Sequence, residues 1–584
     1  MMKETVEFES RLSEADFGTE ANTVTAGKQS ATEIIGRVGA PPQLEATPEQ
    51  FNFWVARHQL VENNQFVSAK SVVGGKDITY FGIVDEVRRA SRKRDILEEY
   101  DTADGDVSYE PPFKMEGVTY ARVNILRSQP DLLTPPLEQS PVHFGGEAEA
   151  SFAYGFKDMA NAIPVGLLRN GASNFAGLAK IDLAYLLGEN GGHLNVNGIA
   201  GVSTKTSFLL TVNKLLIDQA KISRNTHEPF FVAPIILNVK GEDLMFINRW
   251  NKNFRSEHEA DWQRLGVKPE PFTDAKFFTP ADKDGNPTVS GCDAKPFSWS
   301  LSDVLRDEAL PYLFSEDDRM SENMQSLVRD IVAQITKPED GKTLRDEAGI
   351  PRTWGDFLDW VRNNAASNNG GMFTRGTWSA VYRRLFNILD EGKGIFPRDK
   401  AQGDPLNVKR STTSEPQVID INRLPLALQR FVVASILRQV VTDRSTGSPK
   451  PGLRYLIMLD ELNRFAPRDG KDEITRLLER VATEMRSQGV ILLGAQQMAS
   501  QVSTKVIEMS SIRVLGRSGS AELQDKVWQS WEKSARRHAS ILLPEDKLVM
   551  QPTFRQPMLI KVPYPAWAMK REHIKPDTNR KVMI

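Results

Sequence analysis

Three runs constrain this chain more than anything else in it: FVAPIILNV (231–239), RYLIMLDE (454–461) and GVILLGAQ (489–496). Each is apolar almost residue by residue and not in alternation. A strand of that kind must be covered on both faces, which is the environment of a parallel sheet sandwiched between helices. Stretches with helical spacing stand between and beside the runs, at 206–220, 425–442 and 473–488. The alternation predicts an α/β fold with a doubly wound parallel sheet.

At 584 residues the chain exceeds what one hydrophobic core usually serves, so more than one domain is expected. Residues 1–28 are polar and without period and read as a tail. Over 29–145 short β-branched runs punctuated by turns predict a small β-barrel, read as an oligomerisation module without chemistry of its own. The sheet-forming pattern occupies 175–245 and resumes over 411–565. Between them, 246–410 carries several helix-like segments and reads as a helical insertion. Residues 566–584 form a Pro-punctuated tail.

Hydrophobic residues make up 40% and charged residues 26% of the chain, the balance of an ordinary globular protein. A net charge of −2 supplies no general attraction to nucleic acid, so any grip on DNA must be local. The single cysteine, Cys292, excludes an intrachain disulfide framework and a Cys-rich zinc site, and fits a reducing, cytoplasmic location. The first residues are acidic with no apolar core, unlike a signal peptide. No stretch approaches the ~20 apolar residues that span a bilayer, so no membrane partner is expected.

The segment GIAGVSTKTS (198–207) lies between a predicted strand and a predicted helix. That is where a phosphate-binding loop belongs, because the free N–H groups of a helix N-terminus face the anion. Gly198, Gly201, Ser203, Thr204, Lys205, Thr206 and Ser207 are the candidate nucleotide contacts. Lys205 would reach the β- and γ-phosphates, and Thr206 would ligate Mg2+. The loop is one residue longer than the usual motif, and Thr204 stands where a glycine precedes the lysine. A Gly-rich turn with a solvated lysine has the same texture. The strand 454–459 then delivers Asp460 and Glu461 at its C-terminal edge, where α/β sheets bind ligands. Asp460 is a candidate metal ligand, and Glu461 a candidate base for the attacking water.

The order of these strings, with VKGE (239–242), VIDI (418–421), FAP (465–467), EMRSQGV (484–490) and GAQQ (494–497), resembles the HerA branch of the HerA/FtsK translocases. The resemblance implies a RecA-like P-loop ATPase core with an N-terminal small β-barrel, ATP and Mg2+ as cofactors, and a homo-hexameric ring around duplex DNA. It implies that Gln496 senses the γ-phosphate and that Arg486 acts as an arginine finger on a neighbour's nucleotide. A second arginine of the family is replaced by Gly191-Gly192-His193, and an acid by Asn238. Relatives with this loop belong to antiphage defence systems, where a separate nuclease or sirtuin-like effector subunit accompanies the ring. The tail would brace a neighbouring subunit, with Tyr564 and Trp567 as anchors. Lys471, Arg476, Arg480 and Lys505 are the cations that could face DNA, or simply a solvated surface. A nucleotide-binding ring scaffold that activates an effector with slow hydrolysis is the competing reading.

Overall fold

The computed structural model describes residues 33–40, 42–90, 96–110, 117–199, 205–223, 229–241, 243–314, 322–367, 372–409, 414–446 and 451–576. The polar segment 1–28 lies outside these, as do Gly201, Ser203 and Thr204 of the predicted loop.

Six short strands form the N-terminal unit: β1 (Ile34–Val38), β2 (Gln50–Val55), β3 (Phe66–Val73), β4 (Lys76–Ala90), β5 (Val118–Gln129) and β6 (Pro141–Phe144). They close as a barrel in the order β1-β2-β5-β4-β3-β6. The period of two that marks a strand turns Phe51, Phe53 and Val55 of β2 and Ala121, Val123 and Ile125 of β5 into one apolar interior. Closure also removes the unpaired edges that an open sheet of this size would expose.

The second sheet has twelve strands. They are β7 (Ala162–Asn170), β8 (Asn174–Asp182), β9 (Leu194–Asn197), β10 (Phe231–Asn238), β11 (Lys276–Pro280), β12 (Ala294–Phe297), β13 (Gln417–Asp420), β14 (Leu453–Leu459), β15 (Val490–Gln496), β16 (Ile512–Leu515), β17 (Asp546–Met550) and β18 (Met558–Lys561). Their order is β12-β11-β13-β10-β14-β15-β9-β16-β17-β18-β7-β8. From β12 to β16 every pairing is parallel; from β16 to β8 every pairing is antiparallel. The expected doubly wound sheet is therefore present and carries an antiparallel wing that apolar content alone did not announce.

Both faces of the parallel part are covered. Tyr455, Ile457 and Leu459 of β14 share one core with Leu428 and Phe431 of the helix Leu426–Thr446 and Leu478 of the helix Glu473–Glu484. Leu456 and Met458 share the other with Phe208 and Val212 of the helix Lys205–Ser223. This two-sided burial is why the run lacks alternation.

The segment 246–410 is mainly helical, and it also supplies β11 and β12 at the sheet's edge. It does not stand apart. Trp299, Trp354 and Trp378 are buried in the same core as the outer face of β14, and Trp299 meets Phe431 edge-on at 5.3 Å. Among the described residues no helix is long and apolar enough to cross a membrane.

The wing is tied together by one buried ion pair. Arg169 of β7 reaches Asp546 of β17 with Nε at 3.0 Å and Nη2 at 2.8 Å, both groups nearly excluded from solvent. Burial pushes the Asp546 carboxyl up, against the lowering effect of Arg169. Removing one partner leaves the other charge buried alone, so Arg169→Ala is expected to destabilise the protein by about 3–5 kcal/mol in a denaturant titration. A loss of under about 1 kcal/mol, the size of a surface pair, would contradict the clamp.

Candidate functional site

Five strands of the sheet run β16-β9-β15-β14-β10, so β15 lies between the strand that enters the Gly-rich loop and the strand that carries the two acids. All five are parallel, and their C-terminal ends form one edge. Four of the sequence's candidates, Lys205, Thr206, Asp460 and Glu461, meet there. The helix Lys205–Ser223 starts at Lys205, whose side chain is only 3% exposed. Thr206 donates its hydroxyl to Asp460 Oδ2 at 2.9 Å. Lys205 Nζ lies 3.9 Å from Asp460 Oδ1 and 3.7 Å from Glu461 Oε1. Gly198 is at the same edge, its N–H bonded to the carbonyl of Gln496 at 3.2 Å, and Ser207 is buried one residue into the helix.

The backbone at Glu461 is unusual. Its φ of 54° and ψ of 48° place a non-glycine residue in the left-handed region, an arrangement that costs of order 1–3 kcal/mol and persists only where the surroundings impose it. Two contacts do so. The Glu461 N–H donates to Asp460 Oδ1 at 2.8 Å. The next residue, Leu462, packs into the space left by the missing side chain of Gly494, where a Cβ would come within 2.0 Å of Leu462 Cδ1. The glycine of β15 thus sets the turn that aims the acid.

Glu461 is held from two sides. Lys240 Nζ donates to its Oε1 at 2.5 Å, and Gln497 Nε2 donates to the same oxygen at 3.2 Å. Burial pushes this carboxyl up, but the Lys240 hydrogen bond and the charges of Lys205 and Lys240 outweigh it and leave it below the ordinary glutamate range. Glu461 is therefore an anion at neutral pH.

Gln496 is fully buried and exchanges both amide hydrogen bonds with Asn195 of β9, at 3.0 and 2.7 Å. The amide that touches Glu461 belongs to Gln497. Asn238, which stands where the resemblance expected an acid, donates to Asp420 Oδ1 at 2.8 Å from the paired position on β13. A buried carboxylate is thus delivered to this edge by the neighbouring strand.

Arg486 is not in the cluster. It precedes β15, at the opposite edge of the sheet from Gln496, a separation of roughly 20 Å for a strand of this length. Its guanidinium has no hydrogen bond or ion pair among the described residues. The glycines before β9 fit around it: a Cβ on Gly188 would lie 2.2 Å from the Arg486 carbonyl, and one on Gly192 would lie 3.0 Å from Arg486 Cβ. His193 fixes the same corner, accepting from Leu492 N–H at Nδ1 and bonding the Ala482 carbonyl through Nε2, both at 2.9 Å. Burial pushes this imidazole down to about 4, so it is neutral.

A cleft of about 260 Å³ opens beside the cluster, lined by Lys205, Thr206 and Asp460 together with Lys240, Lys570 and His573. Among the described residues no group of three or more His, Cys, Asp or Glu side chains could hold a metal ion. Thr206 and Asp460 nonetheless offer two convergent oxygens, the protein share of a site that Mg2+ completes with substrate phosphates and water. The arrangement can bind an anion through Lys205 and the helix N-terminus, hold a hard cation at Thr206 and Asp460, and polarise a water at Glu461. Of the cations considered for DNA, Arg476, Arg480 and Lys505 are engaged by Glu473, Glu484 and Glu479 at 3.0, 3.0 and 2.9 Å. Sequence reasoning missed Lys240, Gln497, Asn195 and Asp420 as parts of the site, although each sits in or beside a string it had singled out.

No protein-family profile and no curated protein matches the sequence. Among solved structures, VirB4 of Thermoanaerobacter pseudethanolicus is similar, with 13% identity and a TM-score of 0.43 over 69% of this chain and 96% of that one. The bacterial conjugative coupling protein TrwB, unbound, is similar with 13% identity and a TM-score of 0.41 over 66% of this chain and 88% of that one. TrwB in complex with the non-hydrolysable ATP analogue ADPNP gives 12% identity and a TM-score of 0.40 over the same shares, 66% and 88%. None of these likenesses carries an assignment of activity.

Because Glu461 is depressed in the folded chain, its pairing stabilises the protein above the unfolded-state carboxyl pKa and that stability is lost as pH falls through the folded value. Lys240→Ala raises the folded value. The acid limb of the Tm-versus-pH profile is then expected to move to higher pH, as read by scanning calorimetry; a superimposable profile would exclude the ion pair.

Proposed function

We propose that this chain is a P-loop ATPase that works as a DNA motor, a hexameric ring moving duplex DNA with ATP and Mg2+. The observation that carries the reading is the Lys205–Thr206–Asp460–Glu461 cluster. It joins the start of one helix to the end of a strand two positions away in the sheet.

In this reading Lys205 and the N–H groups at the start of its helix hold the phosphates, where a buried ammonium and the helix dipole act together. Thr206 and Asp460 would hold the Mg2+ ion, which would supply positive charge to the phosphates. Glu461 orients a water and takes its proton as the oxygen attacks the terminal phosphorus, whose bond to the β,γ-bridging oxygen breaks so that ADP leaves and inorganic phosphate forms. For that it must give up Lys240, since a base already donating its lone pair to an ammonium is a poor acceptor. Gln497 is placed to hold Glu461 meanwhile. Gln496 would have to leave Asn195 to meet a phosphate.

Arg486 at the far edge supports an action on a second copy of the chain, because no motion within one chain brings it across the width of the sheet. A guanidinium there would spread charge over the transferring phosphoryl group of a neighbour's nucleotide. The separate nuclease or sirtuin-like effector and the role in antiphage defence rest on the sequence resemblance.

One observation favours a second reading, a ring scaffold with slow turnover. The Lys240–Glu461 pair holds the base in a closed state.

ATP turnover with and without duplex DNA separates the two. The motor reading expects DNA to raise turnover several-fold. It also expects Glu461→Gln to lower kcat by about 10²–10⁴, the usual worth of a general base, with nucleotide affinity little changed. Turnover that is absent, or indifferent to both DNA and the substitution, would sink it.

A further inference from the structure

The residues that follow β18 return across their own chain. Two isolated antiparallel bridges pair Trp250 with Trp567 and Asn251 with Ile574. Four backbone bonds fix the strap to 249–252: Asn251 N–H to Ala566 at 2.9 Å, Ala568 N–H to Arg249 at 2.8 Å, Lys252 N–H to His573 at 2.8 Å and Lys575 N–H to Trp250 at 2.9 Å. Trp567 is 0% exposed and meets Trp262 and Phe272 edge-on at 5.8 and 5.0 Å. Arg571 anchors the other side, donating to the Ser290 carbonyl at 2.6 Å with its guanidinium 5.1 Å from the centre of the Phe246 ring. The tail's expected anchor for a neighbour is thus seated in its own core.

Between the two bridged residues, Trp567 and Ile574, the strap brings two basic side chains to the candidate site. Lys570 and His573 line the same cleft as Lys205, Thr206 and Asp460. Lys570 is exposed and has no ion-pair partner among the described residues. His573 Nδ1 is buried without a hydrogen-bond partner, and Nε2 lies 3.8 Å from Glu572. Among the described residues the acids lining this cleft are Asp243 and Asp460; burial pushes the Asp243 carboxyl up while the charges of Lys570 and His573 oppose the rise. Lys240, on the same wall, is already engaged by Glu461. Lys570 therefore presents an ammonium with no ion-pair partner among the described residues to the cleft that Lys205 also lines, with the His573 ring beside it.

We infer that Lys570 and His573 are phosphate contacts for the nucleotide held by their own chain, supplied in cis by the C-terminal strap. This rests on the reading of the cluster as a nucleotide site. An ammonium held by backbone bonds on both sides loses little freedom when it meets a phosphate, and a charge-assisted bond to a phosphate oxygen is among the stronger polar contacts. The strap would then sense whether the triphosphate is present.

The test is a fluorescence titration of the full-length protein with N-methylanthraniloyl-ATP and Mg2+. It compares wild type, Lys205→Ala, Lys570→Gln, His573→Gln, the Lys570→Gln/His573→Gln pair and Lys570→Arg. Lys570 is exposed, so its variants leave the fold intact, and scanning calorimetry checks the others. The paired variant is expected to bind the triphosphate about tenfold more weakly or worse. Lys570→Arg is expected to recover most of the affinity, and labelled adenosine without phosphates should not discriminate wild type from variant. Lys570→Gln and the pair binding within twofold of wild type would overturn the strap contact while leaving the nucleotide site intact. Failure of wild type to bind at all, or of Lys205→Ala to weaken it, would overturn the nucleotide reading and the strap contact with it.

Discussion

Burial on both faces is the constraint from which the rest of this molecule follows. β9, β15, β14 and β10 lie side by side with cores above and below, so a polar side chain on them has two options. It can pair with another across the sheet, as Asn195 and Gln496 do, or it can wait until the strand ends. Asn238 and Asp420 pair across the sheet at the last positions of their strands, Asp460 follows the end of β14, and parallel pairing makes these strands end at one edge. Glu461, Lys205 and Thr206 begin where strands stop. The cluster is thus a consequence of the packing rule and not an addition to it.

That edge stores a good deal of tension. Glu461 sits in a left-handed conformation, its carboxylate below the ordinary range and shared between Lys240 and Gln497. Strain and opposite charge meet at this one residue, and the proposed reaction requires a second arrangement of it, released from Lys240. Gly494 matters to both states, because only a residue without a Cβ lets Leu462 settle behind the acid. The Gly188 and Gly192 contacts play a similar part at the opposite corner, where they make room for the Arg486 turn.

Much of this was legible in the sequence, and the gaps have physical causes. Unbroken apolar runs identify parallel strands because nothing else buries both faces, and the alternating runs of β2 and β5 announced the barrel. The antiparallel wing was harder. Its β7–β8 hairpin lies in a stretch left unassigned, although Asn170-Gly171 with a φ of 75° at the glycine is the turn signal such a hairpin uses. β11 and β12 hid in a segment of helical texture because an edge strand of four or five residues carries too few positions to show a period. Within the site, Lys205, Thr206, Asp460 and Glu461 were named from their strings and do meet. Gln497 was passed over for Gln496 because the alternation of a strand end, which decides which amide faces the acid, is set by the register of β15 against β9. Lys570 and His573 were invisible for a different reason: their approach to the cleft depends on Trp567 folding into its own core, a contact more than three hundred residues away in sequence from its neighbour Trp250.

The central claim is that Thr206 and Asp460 share a magnesium ion on the phosphates of a nucleotide held by Lys205. A structure determined with a non-hydrolysable ATP analogue and Mg2+ tests it most directly. The expected result is a metal within reach of the Thr206 hydroxyl oxygen and the Asp460 carboxylate, with the terminal phosphate against Lys205 and Glu461 released from Lys240. An analogue bound elsewhere on the chain, or one bound beside Lys205 with no metal against Thr206 or Asp460, would contradict it.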